Sequence, residues 1–128
     1  TSVDLRNTDG ERLRAAQAEV LAYARDLCAQ MGLQFSHRQL ADFEPVAFDS
    51  ALVDSVERHA RAQGLSTLRM PSGAGHDAQM LARVCPTAMV FVPSAGGLSH
   101  NVREHTETAQ LEQGANVLQQ VLLQQADR

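Results

Sequence analysis

Two glycine-rich turns carry the side chains of this chain that are best suited to chemistry. The first turn, SGAGHDA, contains His76 and Asp77, and the second, SAGGLSH, ends at His100. A neutral imidazole binds zinc, manganese, nickel or cobalt, and it also donates and accepts hydrogen bonds. Because the two turns flank a short predicted helix and the apolar segment PTAMVFVPS, they predict a binding site formed by loops.

Each of these residues also has a purely structural interpretation. His100 can be a hydrogen-bonded loop histidine, since a single imidazole is weak evidence for a metal site. Asp77 can cap or polarise the start of the following helix, with His76 as a packing residue. The glycines allow close approach of a ligand, and the helix N-terminus favours an anionic group. Neither turn has the GxSxG pattern, so Ser72 and Ser94 are not predicted to be nucleophiles.

The segments that position these turns alternate between strands and helices. The apolar segment 86–94 is rich in β-branched residues and bounded by prolines, so it predicts a buried strand. Shorter strands are predicted over residues 1–7, 33–37 and 66–70. This alternation predicts an α/β chain.

Apolar residues at helical spacing predict two helices in the first half of the chain. The first helix follows a capping box formed by Thr8 and Glu11, and it ends at Gly32. The second helix is capped by Asp49 and ends at Gly64.

Two further helices are predicted in the second half. A short helix begins near His76 and is stopped by Pro86. The final helix runs from about Thr106 to Ala126. Its apolar positions are predicted at Leu111, Ala115, Leu118, Val121 or Leu122, and Gln125. Its solvated face is predicted at Gln113, Gln119, Gln120 and Gln124.

Composition excludes several classes of protein. The 128 residues are 44% hydrophobic and 20% charged, as in an ordinary globular domain. A net charge of −4 with scattered basic residues gives no nucleic-acid surface. No apolar run is long enough to span a membrane, and the N-terminus lacks a signal-peptide pattern. We therefore expect a cytoplasmic protein in which Cys28 and Cys85 are thiols, with a disulfide as the alternative.

Three motifs, in order and at matching separations, resemble a known family. SGAGHDA at 72–78, MVFVPS at 89–94 and GLSHNVREHT at 97–106 are similar to the C-terminal part of amidohydrolases acting on N-carbamoyl amino acids and allantoate. These are dinuclear-metal enzymes related to carboxypeptidase G and the aminoacylases. The resemblance covers nearly the whole chain and is strongest from Met70 to Thr106.

The resemblance implies a division of the chain into two parts. Residues 1–42 would form the second half of an inserted ferredoxin-like (α+β) dimerisation domain. Residues 43–128 would form the C-terminal segment of an α/β metallohydrolase catalytic domain. A strand, a helix and a further strand agree with half of such a sandwich. The chain would then be a C-terminal fragment of a longer protein, beginning in the middle of a strand at Thr1.

The resemblance also implies roles for individual residues. His100, in the SH…E…T motif, would be a terminal ligand of one metal of a pair. The two metals would be zinc or manganese, with nickel or cobalt as alternatives. Gly75 and His76 would line the substrate pocket. Arg103 and Glu104 are expected to support the His100 loop through pairing and not to touch the substrate.

Arg6 is the remaining candidate for substrate binding. It lies in an AspLeuArg sequence that matches a DxR pattern of the family, whose arginine reaches across the dimer to the substrate carboxylate. A planar guanidinium is well suited to such a carboxylate. Composition alone favours an exposed strand arginine instead.

No catalytic residue is predicted within this chain. A two-metal hydrolase needs roughly five or six protein ligands and a bridging water, and the resemblance places the other ligands and the general-base glutamate upstream. We therefore expect a fragment of a metal-dependent amidohydrolase for linear amide or ureido C–N bonds, inactive alone and without a tightly bound metal. The expected partners are a small ureido or amide substrate and a second copy of the chain, with neither nucleic acid nor membrane. The alternative is a non-catalytic dimerisation or interaction module derived from the same family.

Overall fold

Helices are the regular elements of the computed structural model, which describes residues 1–126. They are α1 (Gly10–Gln30), α2 (Ser50–Ala62), α3 (Asp77–Leu81) and α4 (Thr108–Ala126), with a 3₁₀ turn at Ala95–Gly97. The chain forms two compact units. The first unit comprises residues 1–47 and 71–75, and the second comprises residues 48–70 and 76–126. Within residues 1–126, no helix has the length and apolar character needed to cross a membrane.

The first turns of α1 and α2 are capped by aspartate side chains. Asp9 is the N-cap of α1, and its carboxylate accepts the backbone N–H groups two and three residues further on. The predicted capping box at Thr8 is therefore wrong by one residue, because Asp9 supplies the accepting oxygen. Asp49 accepts the backbone N–H of Leu52 at 2.8 Å, which confirms the predicted cap of α2.

Both α1 and α2 end in a Schellman motif at a glycine. Gly32 and Gly64 take φ values of 68° and 75°, in the left-handed region that glycine adopts without steric cost. The residue after each glycine donates its N–H to a carbonyl five residues back, that of Cys28 at 2.8 Å and that of Ala60 at 3.0 Å. The two helix ends predicted from these glycines are confirmed.

None of the four predicted strands is present in residues 1–126. A strand requires a ladder of backbone hydrogen bonds to a neighbouring segment, and apolar alternation only identifies a segment suited to one. The segment 86–94 is joined to the residue before α2 by one backbone hydrogen bond, from Asp49 N–H to Thr87 O at 2.9 Å. The regular elements of the described residues are helices, and the predicted ferredoxin-like half is not confirmed.

The core of the second unit lies between α2 and α4. Ala60 of α2 and Val117 and Val121 of α4 are buried, and Ser55 is 1% exposed. On the same face of α4, a Cβ on Gly114 would collide with Cγ1 of Val92, so the missing side chain lets the two segments approach.

The buried face of α4 differs from the predicted one. Of the predicted apolar positions, Val121 is buried, whereas Leu111, Leu118 and Leu122 are about half exposed. Gly114, Val117, Val121 and Gln124 recur at helical spacing and face α2 and the segment before the 3₁₀ turn. The positions of the leucines predict a different buried face, because the hydrophobicity of a residue does not show how closely the backbones of two segments approach.

The first unit has α1 as its only helix among the residues described. Arg14 of α1 forms an ion pair with Glu44, and the guanidinium of Arg25 lies 5.9 Å from the ring centroid of Phe35. Cys28 on this helix is a free thiol, as is Cys85 in the second unit, in agreement with the predicted thiols.

Candidate functional site

The loop from Pro93 to Thr106 presents His100. The hydroxyl of Thr106 donates to the carbonyl of Pro93 at 2.9 Å, and the N–H of Ala95 donates to the carbonyl of His105 at 2.8 Å. These two bonds close the base of the loop, as in compact surface loops whose ends lie close together. The chain between them is therefore held as one structured turn, with the imidazole of His100 exposed on it.

His100 has an unusual backbone conformation. Its φ is 53°, and it is the one non-glycine residue with positive φ among residues 1–126. Its N–H donates to Oε2 of Glu104 at 2.8 Å. The N–H of Glu104 donates in turn to the carbonyl of Asn101 at 2.9 Å, and the N–H of Arg103 donates to the side chain of Asn101 at 3.0 Å. Glu104 thus supports the loop as predicted, although its partner is the His100 backbone.

His76 is half-buried at the N-terminus of α3. It is the N-cap of this helix, and its N–H donates to Oε1 of Gln79 at 3.3 Å. Its ring meets the ring of Phe91 edge to face, with centroids 5.9 Å apart. Asp77 follows in the first turn, where a carboxylate interacts favourably with the helix dipole, but the cap itself is His76.

The Nε2 atom of His76 is buried and makes no hydrogen bond within the described part of the chain. A buried polar atom without a partner is destabilising, so native proteins rarely retain one. Phe91 covers the ring and was not predicted as a site residue. The MVFVPS motif contains it, but nothing in that motif indicates which of its side chains faces the SGAGHDA turn.

The two predicted turns bring their histidines together. The ring centroids of His76 and His100 lie 6.5 Å apart, with their planes inclined at 55°. At this separation both imidazoles can contact the same small ligand, one as a metal ligand or base and the other as a hydrogen-bond donor. The arrangement therefore supports a small-molecule site between the two turns.

The donor set here fits part of a metal site. An exposed imidazole such as that of His100 is a suitable ligand for a divalent metal. Zinc sites take three or four protein ligands, whereas no group of three His, Cys, Asp or Glu side chains comes together in residues 1–126. These residues can contribute to a metal site, but they do not complete one.

Arg6 and Gly75 belong to the first unit. The guanidinium of Arg6 is paired with the carboxylate of Asp4 and donates to the carbonyl of Gly73, in the same turn as Gly75. The hydrogen bond between Arg6 and Asp4 lowers the pKa of Asp4 and raises the pKa of Arg6 from their ordinary values. Binding of a substrate carboxylate by Arg6 would therefore compete with Asp4.

A further charged cluster lies on α2 and the segment that follows it. A surface cleft of about 350 Å³ is lined by Asp54, Glu57, Arg58, Arg61 and Arg69. Arg69 bonds to both Asp54 and Glu57, and its hydrogen bond to Glu57 is the main reason that the pKa of this carboxyl is lowered. The cluster attaches the segment before the SGAGHDA turn to α2, which is a structural role.

Comparison with known proteins places these features in a family context. Residues 8–124 match peptidase family M20/M25/M40. The chain is 38% identical over 126 residues to an N-carbamoyl-L-amino-acid amidohydrolase of Rhizobium meliloti, covering 98% of this chain and 30% of that protein. It is 37% identical to an allantoate amidohydrolase of Bacillus subtilis, covering 94% of this chain and 29% of that protein.

Solved structures give the same result. An amidase of the hydantoinase/carbamoylase family from Burkholderia vietnamiensis superposes with a TM-score of 0.86 at 41% identity, over 93% of this chain and 29% of that one. The chain thus spans under a third of the length of the proteins that it matches.

Proposed function

The chain belongs to peptidase family M20/M25/M40, and from this premise we propose that it is part of a metal-dependent amidohydrolase. The reaction is hydrolysis of a linear amide or ureido C–N bond, with N-carbamoyl amino acids or allantoate as the substrate class. The observation that carries the proposal is the similarity, along nearly the whole chain, to proteins named for these two activities. The paired histidines of the two turns support it.

In this proposal His100 is a terminal ligand of one of two divalent metals, zinc or manganese. When bound, the metals polarise the scissile carbonyl and activate a water. His76, whose ring lies beside that of His100, donates to an oxygen of the substrate. Gly75 has no side chain, which lets the substrate approach the backbone of the turn. The remaining ligands and the general base are supplied by parts of the protein outside this chain.

Arg6 has the second substrate-binding role. Its guanidinium offers paired N–H donors that match a carboxylate, the group common to N-carbamoyl amino acids and allantoate. We assign this role to the Arg6 of a second subunit in a homodimer, as the resemblance to the family implies. Asp4 keeps the guanidinium paired until the substrate carboxylate replaces it.

A chimeric enzyme tests the proposed function. This chain replaces the matching segment of the Rhizobium meliloti amidohydrolase, and hydrolysis of N-carbamoyl-L-amino acids and allantoate is assayed with added zinc or manganese. We expect activity in the chimera and none in the isolated 128-residue chain. In the chimera, His100→Ala should lower kcat/KM by more than about 100-fold, because even outer-shell partners of metal ligands are worth roughly 10- to 100-fold.

His105→Ala is the matched control. His105 lies in the same loop and is exposed, with its ring 3.3 Å from the Glu107 carboxylate, so its loss should leave the activity nearly unchanged. A folded chimera that hydrolyses neither substrate contradicts the proposed substrate class. A His100→Ala chimera as active as the His105→Ala chimera contradicts the ligand role of His100.

One observation favours the alternative of a non-catalytic dimerisation module. Tyr23 and Leu27 on α1 and Met31 at its C-cap follow one another at helical spacing and are all exposed. An exposed apolar stripe of this kind is typical of an association surface. A stable dimer of the isolated chain together with an inactive chimera would favour the module.

A further inference from the structure

We propose that Glu104 is a positioning residue for His100, whose left-handed backbone it holds so that the imidazole lies beside His76. This inference rests on the proposed function, since that function makes His100 a metal ligand. The inference adds Glu104 to the same site. The role is exerted through the backbone of His100. Glu104 is not assigned to the metal or to the substrate.

The backbone of His100 needs support to keep its conformation. A φ of 53° is uncommon for a residue with a Cβ, although histidine tolerates it better than most residues. Such conformations persist where the surrounding structure over-determines them. The bond from His100 N–H to Oε2 of Glu104, at 2.8 Å, is a contact of this kind.

Glu104 is itself held in place by the loop that it closes. Its own N–H donates to the carbonyl of Asn101 at 2.9 Å, so its main chain and its side chain bond to two consecutive residues. The N–H of Arg103 bonds to the side chain of Asn101 at 3.0 Å and fixes the same turn. The carboxylate therefore reaches the His100 N–H from a short, closed turn and not from a flexible arm.

This bond has a direct consequence for the pair of histidines. The imidazole of His100 lies 6.5 Å from that of His76 with the backbone in its present, left-handed conformation. A change of φ to the ordinary negative region would reorient the Cα–Cβ bond and move the ring away from His76. Loss of the carboxylate should therefore separate the two rings without altering either side chain.

Nuclear magnetic resonance of the isotope-labelled 128-residue chain, without metal or substrate, tests the proposal. We expect Glu104→Ala to shift the His100 amide resonance upfield and to speed its hydrogen exchange by about 10-fold, the factor expected for a lost hydrogen bond. The nuclear Overhauser contacts between the rings of His76 and His100 should weaken at the same time. Glu104→Gln keeps an oxygen acceptor of the same reach and should restore all three signals.

Glu107→Gln is the matched control, because Glu107 contacts the exposed ring of His105 and not the backbone of His100. Wild-type signals in Glu104→Ala would overturn the proposal, and so would equal losses in Glu104→Ala and Glu104→Gln. If Glu104→Ala loses the dispersed spectrum of a folded chain, Glu104→Asp is measured in its place. Its carboxylate is one methylene shorter, so the His100 amide should again shift upfield and exchange faster. A wild-type His100 amide in Glu104→Asp would then overturn the proposal. Because these measurements need no hydrolysis, an inactive chimera leaves them unaffected.

Discussion

Glu57 is the residue on which the charged contacts of α2 converge. Its carboxylate pairs with Arg61 one turn further along the helix, accepts two bonds from Arg69 and accepts the hydroxyl of Thr67 at 3.3 Å. The bonds from Arg69 are the largest cause of its lowered pKa. A single carboxylate therefore links α2 to the segment that leads into the SGAGHDA turn.

The contribution of Glu57 to stability should depend on pH. Its pKa is lower in the folded chain than the ordinary value of 4.5, so the carboxylate stabilises the fold above pH 4.5 and loses this effect as the pH falls through the folded pKa. We expect Glu57→Gln to lower the urea midpoint modestly at pH 7, with a difference from wild type that shrinks in acid. Glu112→Gln, on the exposed face of α4, is the control. A difference that stays constant with pH would mean that the carboxylate charge is not responsible.

At the scale of helices, the ends marked by one capping residue or one glycine were predictable, and the buried face of α4 was not. Asp49, Gly32 and Gly64 act on the turn in which they lie, so their sequence positions are sufficient to place a helix end. The buried face of α4 depends instead on the approach of Gly114 to Val92. A strand likewise depends on a partner segment, and the alternation of apolar and polar residues does not identify that segment.

The same distinction applies to the candidate site. The two turns flank one segment of sequence, so the convergence of His76 and His100 could be anticipated from the motifs. The bond from the His100 backbone to Glu104 depends on a left-handed residue, which no pattern of residue types reveals. The packing of Phe91 on His76 is likewise a tertiary contact.

Gln124 joins α4 to α2 although it was predicted to lie on a solvated face. Its Oε1 accepts from the hydroxyl of Ser55 at 2.7 Å and from Nη2 of Arg58 at 3.1 Å, and it lies 2.8 Å from Nε2 of His59. Because Arg58 can only donate, the amide oxygen must face α2, and His59 then donates from Nε2. Ser55 is almost fully buried, so its hydroxyl depends on this acceptor.

We expect Gln124→Ala to lower the free energy of unfolding by about 1–3 kcal/mol, because it leaves the buried hydroxyl of Ser55 without an acceptor. Gln120→Ala, on the exposed face of the same helix, should stay within about 0.5 kcal/mol of wild type. Adding Ser55→Ala to Gln124→Ala should recover part of the loss, since no polar group then remains unpaired. Urea denaturation of wild type, of these variants and of Ser55→Ala alone measures the coupling between Ser55 and Gln124. Equal effects of the two glutamine substitutions would contradict the role of Gln124.

For the molecule as a whole, burial is unevenly distributed between the two units. Every buried residue among 1–126 lies in the second unit, where α2 packs on α4. In the first unit, α1 has no buried residue along its whole length. A unit of this size with no buried core gains little from its own packing. Its stability should therefore come from a surface that covers α1.

We expect that surface to be a second copy of the chain, which would join through the α1 stripe of Tyr23, Leu27 and Met31. Sedimentation equilibrium should then show a dimer, with the α1 amides exchanging more slowly as protein concentration rises. The double substitution Tyr23→Lys with Leu27→Lys places two charges on the stripe, and it should give a monomer because unpaired charges are costly to bury. Ala29→Lys, on the opposite side of α1, should leave the dimer intact. A wild-type chain that stays monomeric at all concentrations, or a dimer that survives the double substitution, would contradict dimerisation through this stripe.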